Sequence, residues 1–259
     1  MQQSTAKEAI PDMPRPIWFE IPADDPKRAI QFYHDAFGWK ITKLEWEMPY
    51  WIIDTPTGAG TAIGGAIMPR EAGACTRNTI NVPSLDEFFE KINDAGGKAV
   101  TDKMPIPGGT FAVCSDTEGN QFGLMEPNMD EMPPRAAPQG DGRLSVVHFE
   151  IPADDPQRAI AFYQTVFGWE VTKFEGPWEY WMVRTGSPDE PGMDGAIHPR
   201  GAVRCTADTI KVGDIDEFIL RVNDSGGKTI TEKQHYEGVG FVAGCEDSEG
   251  NIFGLVQTE

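Results

Sequence analysis

The sequence predicts an α+β protein made of four βαβββ modules, and three observations support this fold class. A unit of about 130 residues is written twice along the 259-residue chain. Each copy contains two amphipathic helix patterns. Each helix pattern follows one short strand pattern and precedes three more, so the order β-α-β-β-β occurs twice per copy. A tandem-repeat architecture is therefore the first expectation.

The duplication is carried by long identical segments. The motif Phe-Glu-Ile-Pro-Ala-Asp-Asp-Pro stands at 19–26 and again at 149–156. Phe-Gly-Trp stands at 37–39 and again at 167–169. Chance does not produce identities of this length at one fixed spacing, so the two halves share one fold.

The repeat divides the chain into two predicted domains. The predicted order is a flexible N-terminal arm (1–14), a first domain (15–126), a linker rich in Pro and Gly (127–143) and a second domain (144–259). Near its end the second copy is offset by 131 residues rather than 130. It has therefore gained one residue, which we place between Phe241 and Cys245.

Helix boundaries are marked by residue type. Asp25 is suited to cap the first helix and Pro26 to open it, and Gly38 ends it. Ser84 caps the second helix, with Glu87 three residues later completing a capping box. Each copy thus holds two βαβββ modules.

The composition excludes several functional classes. Hydrophobic residues make up 39% of the chain and charged residues 24%, an ordinary globular balance. The net charge of −19 repels phosphate backbones and anionic lipid headgroups, so neither nucleic acid nor a membrane is expected as a partner. No apolar run is long enough to span a bilayer, and no secretory signal is evident, which predicts a cytoplasmic protein.

Four cysteines occupy matching places in the two copies. Cys75 matches Cys205, and Cys114 matches Cys245. No Cys-x-x-Cys spacing indicates a zinc site. We interpret all four as buried thiols in strands, with a disulfide or a reactive thiol as the alternative.

The combined motifs resemble those of the vicinal oxygen chelate superfamily, which includes glyoxalase I, bleomycin-resistance proteins and extradiol dioxygenases. The resemblance rests on Asp25, Phe32-Tyr33 and Phe37-Gly38-Trp39, and on the Asp-x-Glu-Gly-Asn before the last strand. It covers nearly the whole chain and is closest to two-domain, glyoxalase-related bacterial proteins. It implies two half-barrel, glyoxalase-like domains, each around a cleft, with strand edges that allow a monomer or a homodimer.

The resemblance also implies a divalent metal held by residues on the first and last strands of the modules. The corresponding places here are Trp18, Arg77 and Gly123 in the first copy, and His148, Ala207 and Gly254 in the second. The usual ligand set is therefore missing. A divalent metal stays possible as a cofactor, with His148 and Glu150 as its only expected ligands.

Two pairs of strand residues are the candidate catalytic groups. Residues i and i+2 of a strand share a face, so His148 and Glu150 should point into one cleft, and Trp18 and Glu20 into the other. Glu150, with His148, and Glu20 could transfer protons beside a carbonyl group. The alternative is a structural glutamate satisfied by a neighbouring arginine or by the backbone.

Further polar and aromatic side chains on the same strands are candidate ligand-binding residues. They are Trp18, Arg77, Asn81, Trp51, Lys211, Trp181 and His198. The alternative for the aromatic residues is core packing, and for the charged residues a solvated strand end.

Two functions follow from these patterns. The first is a glyoxalase-like lyase or isomerase that acts on a small carbonyl compound in a cleft with an incomplete metal site. The alternative is a metal-free protein of the bleomycin-resistance type that binds and sequesters a small drug or metabolite. If only one cleft is active, the second copy, with His148 and Glu150, is the expected one.

Overall fold

A computed structural model describes residues 14–55, 63–128, 130, 144–176, 178–187, 190, 192–201 and 203–259. Most of the predicted N-terminal arm and linker lies outside these residues. Within them, each copy builds one nine-stranded mixed sheet and two α-helices, which confirms the predicted α+β class. No helix in this described part is long and apolar enough to cross a membrane.

The elements of the two copies follow the same order. The first copy contains β1 (Pro16–Ala23), α1 (Pro26–Phe37), β2 (Lys40–Lys43), β3 (Trp51–Asp54), β4 (Gly64–Pro69), β5 (Arg77–Asn81), α2 (Leu85–Asp94), β6 (Lys98–Ala99), β7 (Met104–Ile106), β8 (Gly109–Ser115) and β9 (Gln121–Pro127). The second contains β10 (Val146–Ala153), α3 (Pro156–Phe167), β11 (Glu170–Lys173), β12 (Trp181–Arg184), β13 (Asp194–Pro199), β14 (Ala207–Lys211), α4 (Ile215–Asp224), β15 (Lys228–Thr229), β16 (Gln234–Tyr236), β17 (Gly240–Glu246) and β18 (Ile252–Gln257). The short strands β7 and β16 are additions to the predicted order.

Each sheet joins its two modules through their first strands. The first sheet has the order β2-β3-β4-β1-β5-β9-β8-β6, with β7 on β8, and the second repeats it. Strand β1 runs antiparallel to β5, and Glu20 stands opposite Arg77. Phe19 and Ile21 enter the hydrophobic core on the helix side of the sheet. The opposite side, here called the cleft face, therefore carries Trp18 and Glu20.

The helix caps form as the sequence predicts. The Asp25 carboxylate accepts hydrogen bonds from the backbone N–H groups of Lys27 and Arg28, at 3.0 and 3.3 Å. Gly38 ends α1 with a φ of 67°, which glycine adopts without steric cost. Ser84 Oγ accepts the N–H of Glu87 at 3.4 Å.

The helices of the two copies pack into one shared core. Phe37 on α1 stacks on Phe218 of α4 with ring centroids 5.8 Å apart. Phe88 on α2 stacks on Phe167 of α3 at 5.7 Å. Because these contacts cross between the copies at both ends, neither sheet buries its apolar face alone.

The Asp-x-Glu-Gly-Asn motif forms a turn in each copy, at 116–120 and 247–251, and these two segments are here called the acidic turns. In the second, Asp247 accepts the backbone N–H groups of Glu249 and Asn251 at 2.8 and 2.9 Å, which closes the turn. Its other oxygen accepts the hydroxyl of Tyr33 from the first copy at 2.8 Å. The motif is thus a contact between copies as well as a turn.

Glu249 fastens the second acidic turn to the start of α1. Its side chain is 0% exposed, and it accepts the backbone N–H groups of Asp24 and Asp25 at 3.0 and 2.9 Å. Arg28 donates two further hydrogen bonds to it, at 2.6 and 3.0 Å. A carboxylate at a helix N-terminus also interacts favourably with the helix dipole.

The first acidic turn makes the reciprocal contact. Glu118 accepts the backbone N–H groups of Asp154 and Asp155 at 2.9 and 3.0 Å. Arg158 donates to it at 2.6 and 3.0 Å. Each copy therefore supplies the carboxylate that holds the first helix of the other.

A pseudo-twofold axis passes between β5 and β14. Cys75 and Cys205 form a disulfide there, 130 residues apart in sequence. The interpretation of this pair as buried thiols is therefore wrong, because only the folded arrangement brings the two matching residues together. Cys114 and Cys245 are buried free thiols, as predicted.

The inserted residue of the second copy lies in a turn and not in the strand after it. Thr101 Oγ1 accepts the N–H of Val113, and Thr231 Oγ1 accepts the N–H of Gly244, so the offset is already 131 at this point of the strand. The turn between β16 and β17 holds residues 237–239, one more than the turn at 107–108. The predicted position after Phe241 is wrong, because a turn absorbs an extra residue while a strand insertion would shift its register.

Asp208 should give the protein a distinct pH dependence of stability. It is 5% exposed, and it accepts a hydrogen bond from Asn78 across the axis at 2.9 Å. Burial raises the pKa of Asp208 to about 7, although this hydrogen bond opposes the shift. An unfolded aspartate titrates near pH ~3.9, so between about pH 4 and 7 only the folded chain keeps the proton. Stability attributable to Asp208 should fall through this window as pH rises, by at most ~1.4 kcal/mol per unit.

The variant Asp208→Asn should lose this dependence. Urea unfolding of both proteins at several pH values between 5 and 8 measures it. The variant should gain stability relative to the parent protein as pH rises to 7 and hold a constant difference above it. A difference that does not change with pH would show that Asp208 is ionised throughout.

Glu249→Gln should destabilise the whole fold. Burial would raise the pKa of Glu249, but the hydrogen bonds from Arg28 and from the backbone of Asp25 outweigh it, and the pKa lies below its ordinary value. The amide cannot replace these charged hydrogen bonds, so we expect a loss of about 2 kcal/mol in the free energy of unfolding. The control Glu87→Gln breaks an exposed pair with Lys91 and should cost less than ~0.5 kcal/mol. Equal urea midpoints for the two variants would refute the role of Glu249.

Candidate functional site

The candidate catalytic residues lie at the centre of each cleft face. Strands β1 and β10 are the middle strands of the two sheets. Glu20 on β1 stands beside Ala66, and Glu150 on β10 stands beside Ala196. These small neighbours leave room for longer side chains from other strands to reach the two carboxylates.

In the first cleft, Glu20 is fully engaged by other side chains. Trp18 Nε1 donates to Tyr50 Oη at 2.8 Å, and the Tyr50 hydroxyl donates to Glu20 Oε1 at 2.9 Å. Arg77 Nε donates to Glu20 Oε2 at 2.7 Å. Glu20 and Arg77 are each 5% exposed, so their pair is buried. This is the structural glutamate, satisfied by an arginine, that the sequence left as an alternative.

The second cleft repeats the hydrogen-bond chain without the arginine. His148 Nε2 lies 3.0 Å from Tyr180 Oη, and the Tyr180 hydroxyl donates to Glu150 Oε1 at 3.0 Å. Since the single phenolic hydrogen is used on Glu150, Nε2 of His148 is the donor to Tyr180. Ala207 stands opposite Glu150 where Arg77 stands opposite Glu20. Glu150 is therefore partly exposed and has no guanidinium partner.

The environment keeps the partners of Glu150 uncharged. Burial lowers the pKa of His148, and the nearby charges of Glu150 and Asp194 only partly offset this. Burial, with the negative charge of Glu150, raises the pKa of Tyr180 far above its ordinary value. A neutral imidazole and a neutral phenol thus flank one carboxylate.

The second cleft is more open than the first because smaller residues line it. From the first copy to the second, the replacements are Trp18 to His148, Arg77 to Ala207, Phe111 to Val242 and Val113 to Gly244. Thr79 and Gly123 are consequently buried, whereas the matching Thr209 and Gly254 are partly exposed. Side chains of the first copy fill the space that the second leaves accessible.

His198 adds a polar atom to the second cleft. Its ring stacks on Tyr180, with centroids 6.4 Å apart and an interplanar angle of 13°. Nδ1 lies 2.9 Å from the carbonyl oxygen of Pro199, which can only accept, so Nδ1 carries a hydrogen. Nε2 is buried and has no hydrogen-bond partner among the described residues. It can accept a hydrogen bond from a ligand.

The two tryptophans predicted to bind a ligand lie on the wrong face for that role. Trp51 stands beside Ile67 and packs against the hydrophobic core, and Trp181 stands beside Ile197. The alternation of the strand instead turns their neighbours to the cleft face. Asn81 and Lys211, by contrast, lie on the cleft faces of β5 and β14.

Tyr50 and Tyr180 are the site residues that the sequence reasoning did not select. Each precedes its strand by one residue, and its hydroxyl bridges two groups on the central strand. The available signal was their identity in both copies at positions where the surrounding loop differs.

Two βαβββ sheets around one core, with a small polar cluster in each cleft, define a paired-module protein with small-molecule clefts. The sequence pattern of the family described as bleomycin resistance protein-like N-terminal matches residues 15–53 and 145–186. The chain is 34% identical over 114 residues to a glyoxylase-like domain-containing protein of Didymella fabae, covering 40% of this chain and 88% of that protein. It therefore belongs to the vicinal oxygen chelate superfamily.

Two further comparisons extend the likeness over the whole length. The chain is 24% identical over 259 residues to the candidate glyoxylase CFP32 of Mycobacterium tuberculosis, covering 93% of this chain and 94% of that protein. The Mn(II)-bound glyoxalase from Novosphingobium aromaticivorans has a similar fold, with a TM-score of 0.67 and 14% identity over 95% of this chain and 81% of that one. The fold is thus shared with a metal-bound glyoxalase.

The residues of this chain do not fit the metal site that the family implies. A catalytic metal needs about three protein ligands. A Cβ atom at Gly254 would lie 2.5 Å from Thr209 Oγ1, and one at Gly123 would lie 2.4 Å from Thr79 Oγ1, so no last-strand ligand can be accommodated. The described residues contain no group of three His, Cys, Asp or Glu side chains that could hold a metal.

Arg77→Met should strongly destabilise the first cleft. The change leaves Glu20 buried beside Tyr50 with no positive partner, and we expect a loss of about 3 kcal/mol in the free energy of unfolding. The double variant Arg77→Met/Glu20→Met should recover most of this loss, because no charge is then buried. Urea unfolding measures both. If the single variant is as stable as the parent protein, Glu20 does not depend on Arg77.

Proposed function

We propose that the second cleft is an active site in which Glu150 transfers a proton beside the carbonyl group of a small compound. The activity would be that of a glyoxalase-like lyase or isomerase. The observation that carries this proposal is that Glu150 is accessible and has no cationic partner, while the matching Glu20 is buried against Arg77. Catalysis in one cleft only is therefore part of the proposal.

The proposed step is a metal-independent isomerisation. Glu150 takes a proton from the carbon beside the carbonyl group, and the electron pair of that C–H bond forms the C=C bond of an enolate. Once Glu150 is protonated, the Tyr180 hydroxyl is no longer held by a carboxylate charge and can donate to the enolate oxygen. The proton then returns from Glu150 to the neighbouring carbon, so that substrate and product have the same atoms.

His148 and His198 have positioning roles in this proposal. His148 donates to Tyr180 and fixes the phenol between two partners. His198 packs on the same ring and offers Nε2 to a hydroxyl group of the ligand. A neutral, oriented phenol next to a carboxylate suits proton transfer near neutral pH.

A metal-free binding protein is the second candidate function. The clash of any side chain at Gly254 with Thr209 favours it, because the fold then keeps the cleft but not the family's metal ligands. In that case the ligand would bind the second cleft without turnover. Residues 15–126 and 144–259 remain our proposed domain boundaries, and a monomer or homodimer our proposed state.

The cellular location is also a proposal. The composition predicts a cytoplasmic protein, whereas the Cys75–Cys205 disulfide favours an oxidising compartment, because disulfides persist there and are rare in the cytosol. Thiol titration of the protein isolated from its native source separates the two. Four reactive thiols after denaturation would support the cytoplasm, and two would support the oxidising compartment.

Glu150→Gln should abolish turnover, while Glu20→Gln should not. We expect a loss of about 100-fold or more in kcat/KM for Glu150→Gln, the usual contribution of a general base. Glu20→Gln is the matched change in the closed cleft and should lower stability but leave kcat/KM within a few-fold. Absorbance assays on 2-oxoaldehyde–thiol adducts, with protein dialysed against a chelator, measure this. No turnover by the parent protein, or equal losses in both variants, would contradict the proposal.

A further inference from the structure

We infer that Lys211 is a specificity-determining residue that binds an anionic group of the ligand in the second cleft. The ligand class is then a small carbonyl compound that also carries a carboxylate or similar anion. This inference rests on the proposal that the second cleft is the binding site, and it adds the chemistry of the ligand to it.

The position of Lys211 places its side chain in the accessible part of the cleft. It lies on the cleft face of β14, two residues after Thr209, and stands beside Val256. It is partly exposed, whereas the matching Asn81 of the first copy is 7% exposed. Val242 occupies the same row of the sheet where the first copy has the larger Phe111.

The charge of Lys211 has no partner within the described part of the chain. Every other basic side chain there that is at least partly buried makes a salt bridge with a carboxylate; these are Arg15, Arg70, Arg77, Lys91 and Arg200. The chain carries 41 acidic residues against 22 basic ones, so carboxylates are abundant. Removing a cation from water without pairing it costs free energy, and an anionic ligand would supply the missing partner.

The spacing of the strand gives the ligand its approximate length. Ala207 stands opposite Glu150, and Lys211 lies four residues further along β14. At ~3.3 Å per residue, the two positions are about 13 Å apart, and the long lysine side chain shortens the gap. Thr209 lies between them on the same face. A ligand that reaches both groups therefore has its anion several bonds away from its reacting carbonyl.

A rigid keto acid and its ester test this inference. The probes are 4-acetylbenzoate, in which ketone and carboxylate lie at opposite ends of a ring, and methyl 4-acetylbenzoate, which lacks the charge. Ligand titrations followed by NMR give the dissociation constants. We expect the parent protein to bind the acid about 10-fold more tightly than the ester, as a charge-assisted hydrogen bond would produce.

Three variants locate the effect. Lys211→Met should bind acid and ester equally, Lys211→Arg should keep most of the preference, and Lys43→Met should keep all of it. Lys43 is an exposed lysine of the first copy, so it controls for the change in net charge. Urea unfolding checks that all three variants fold.

The outcomes separate this inference from the proposed function. A Lys211-dependent preference for the acid supports the inference even if no 2-oxoaldehyde–thiol adduct is turned over, because the measurement is of binding alone. Equal affinity of the parent protein for acid and ester, a preference that survives in Lys211→Met, or no saturable binding of the acid would each overturn it.

Discussion

The reciprocal hold of each acidic turn on the other copy is the constraint on which the architecture depends. Glu118 and Glu249 are buried carboxylates, and each is satisfied only by backbone groups and an arginine of the opposite copy. Separating the copies would expose a shared aromatic core and leave both carboxylates without their donors. The pairing of the two sheets is therefore a condition for the stability of either one.

This mutual dependence explains why the copies agree in their scaffold and differ in their clefts. The residues that form the helix starts and acidic turns must match surfaces of the other copy, so both copies keep them. The cleft faces point away from that contact and can differ. In the first, Arg77 and Phe111 fill the space and neutralise Glu20. In the second, smaller residues leave Glu150 accessible.

Sequence patterns predicted the modules because their signals are local. Helix caps, strand alternation and a repeat of 130 residues need no knowledge of distant contacts. Glu249 was seen only as part of a turn, because its partners lie more than 220 residues away. Cys75 and Cys205 were separated by a full repeat for the same reason. Tyr180 was passed over, and Trp181 selected, because a shift of one residue at a strand start exchanges the two faces.

The axis between the copies shows what one continuous chain permits that two identical chains do not. In a symmetric dimer, a residue on the axis faces its own duplicate, so an aspartate there would meet an aspartate in a buried setting. Here the two sides of the axis are encoded separately, and Asn78 meets Asp208. Joining the halves thus allows a donor to be written on one side and an acceptor on the other, which converts a repulsion that symmetry would impose into a hydrogen bond.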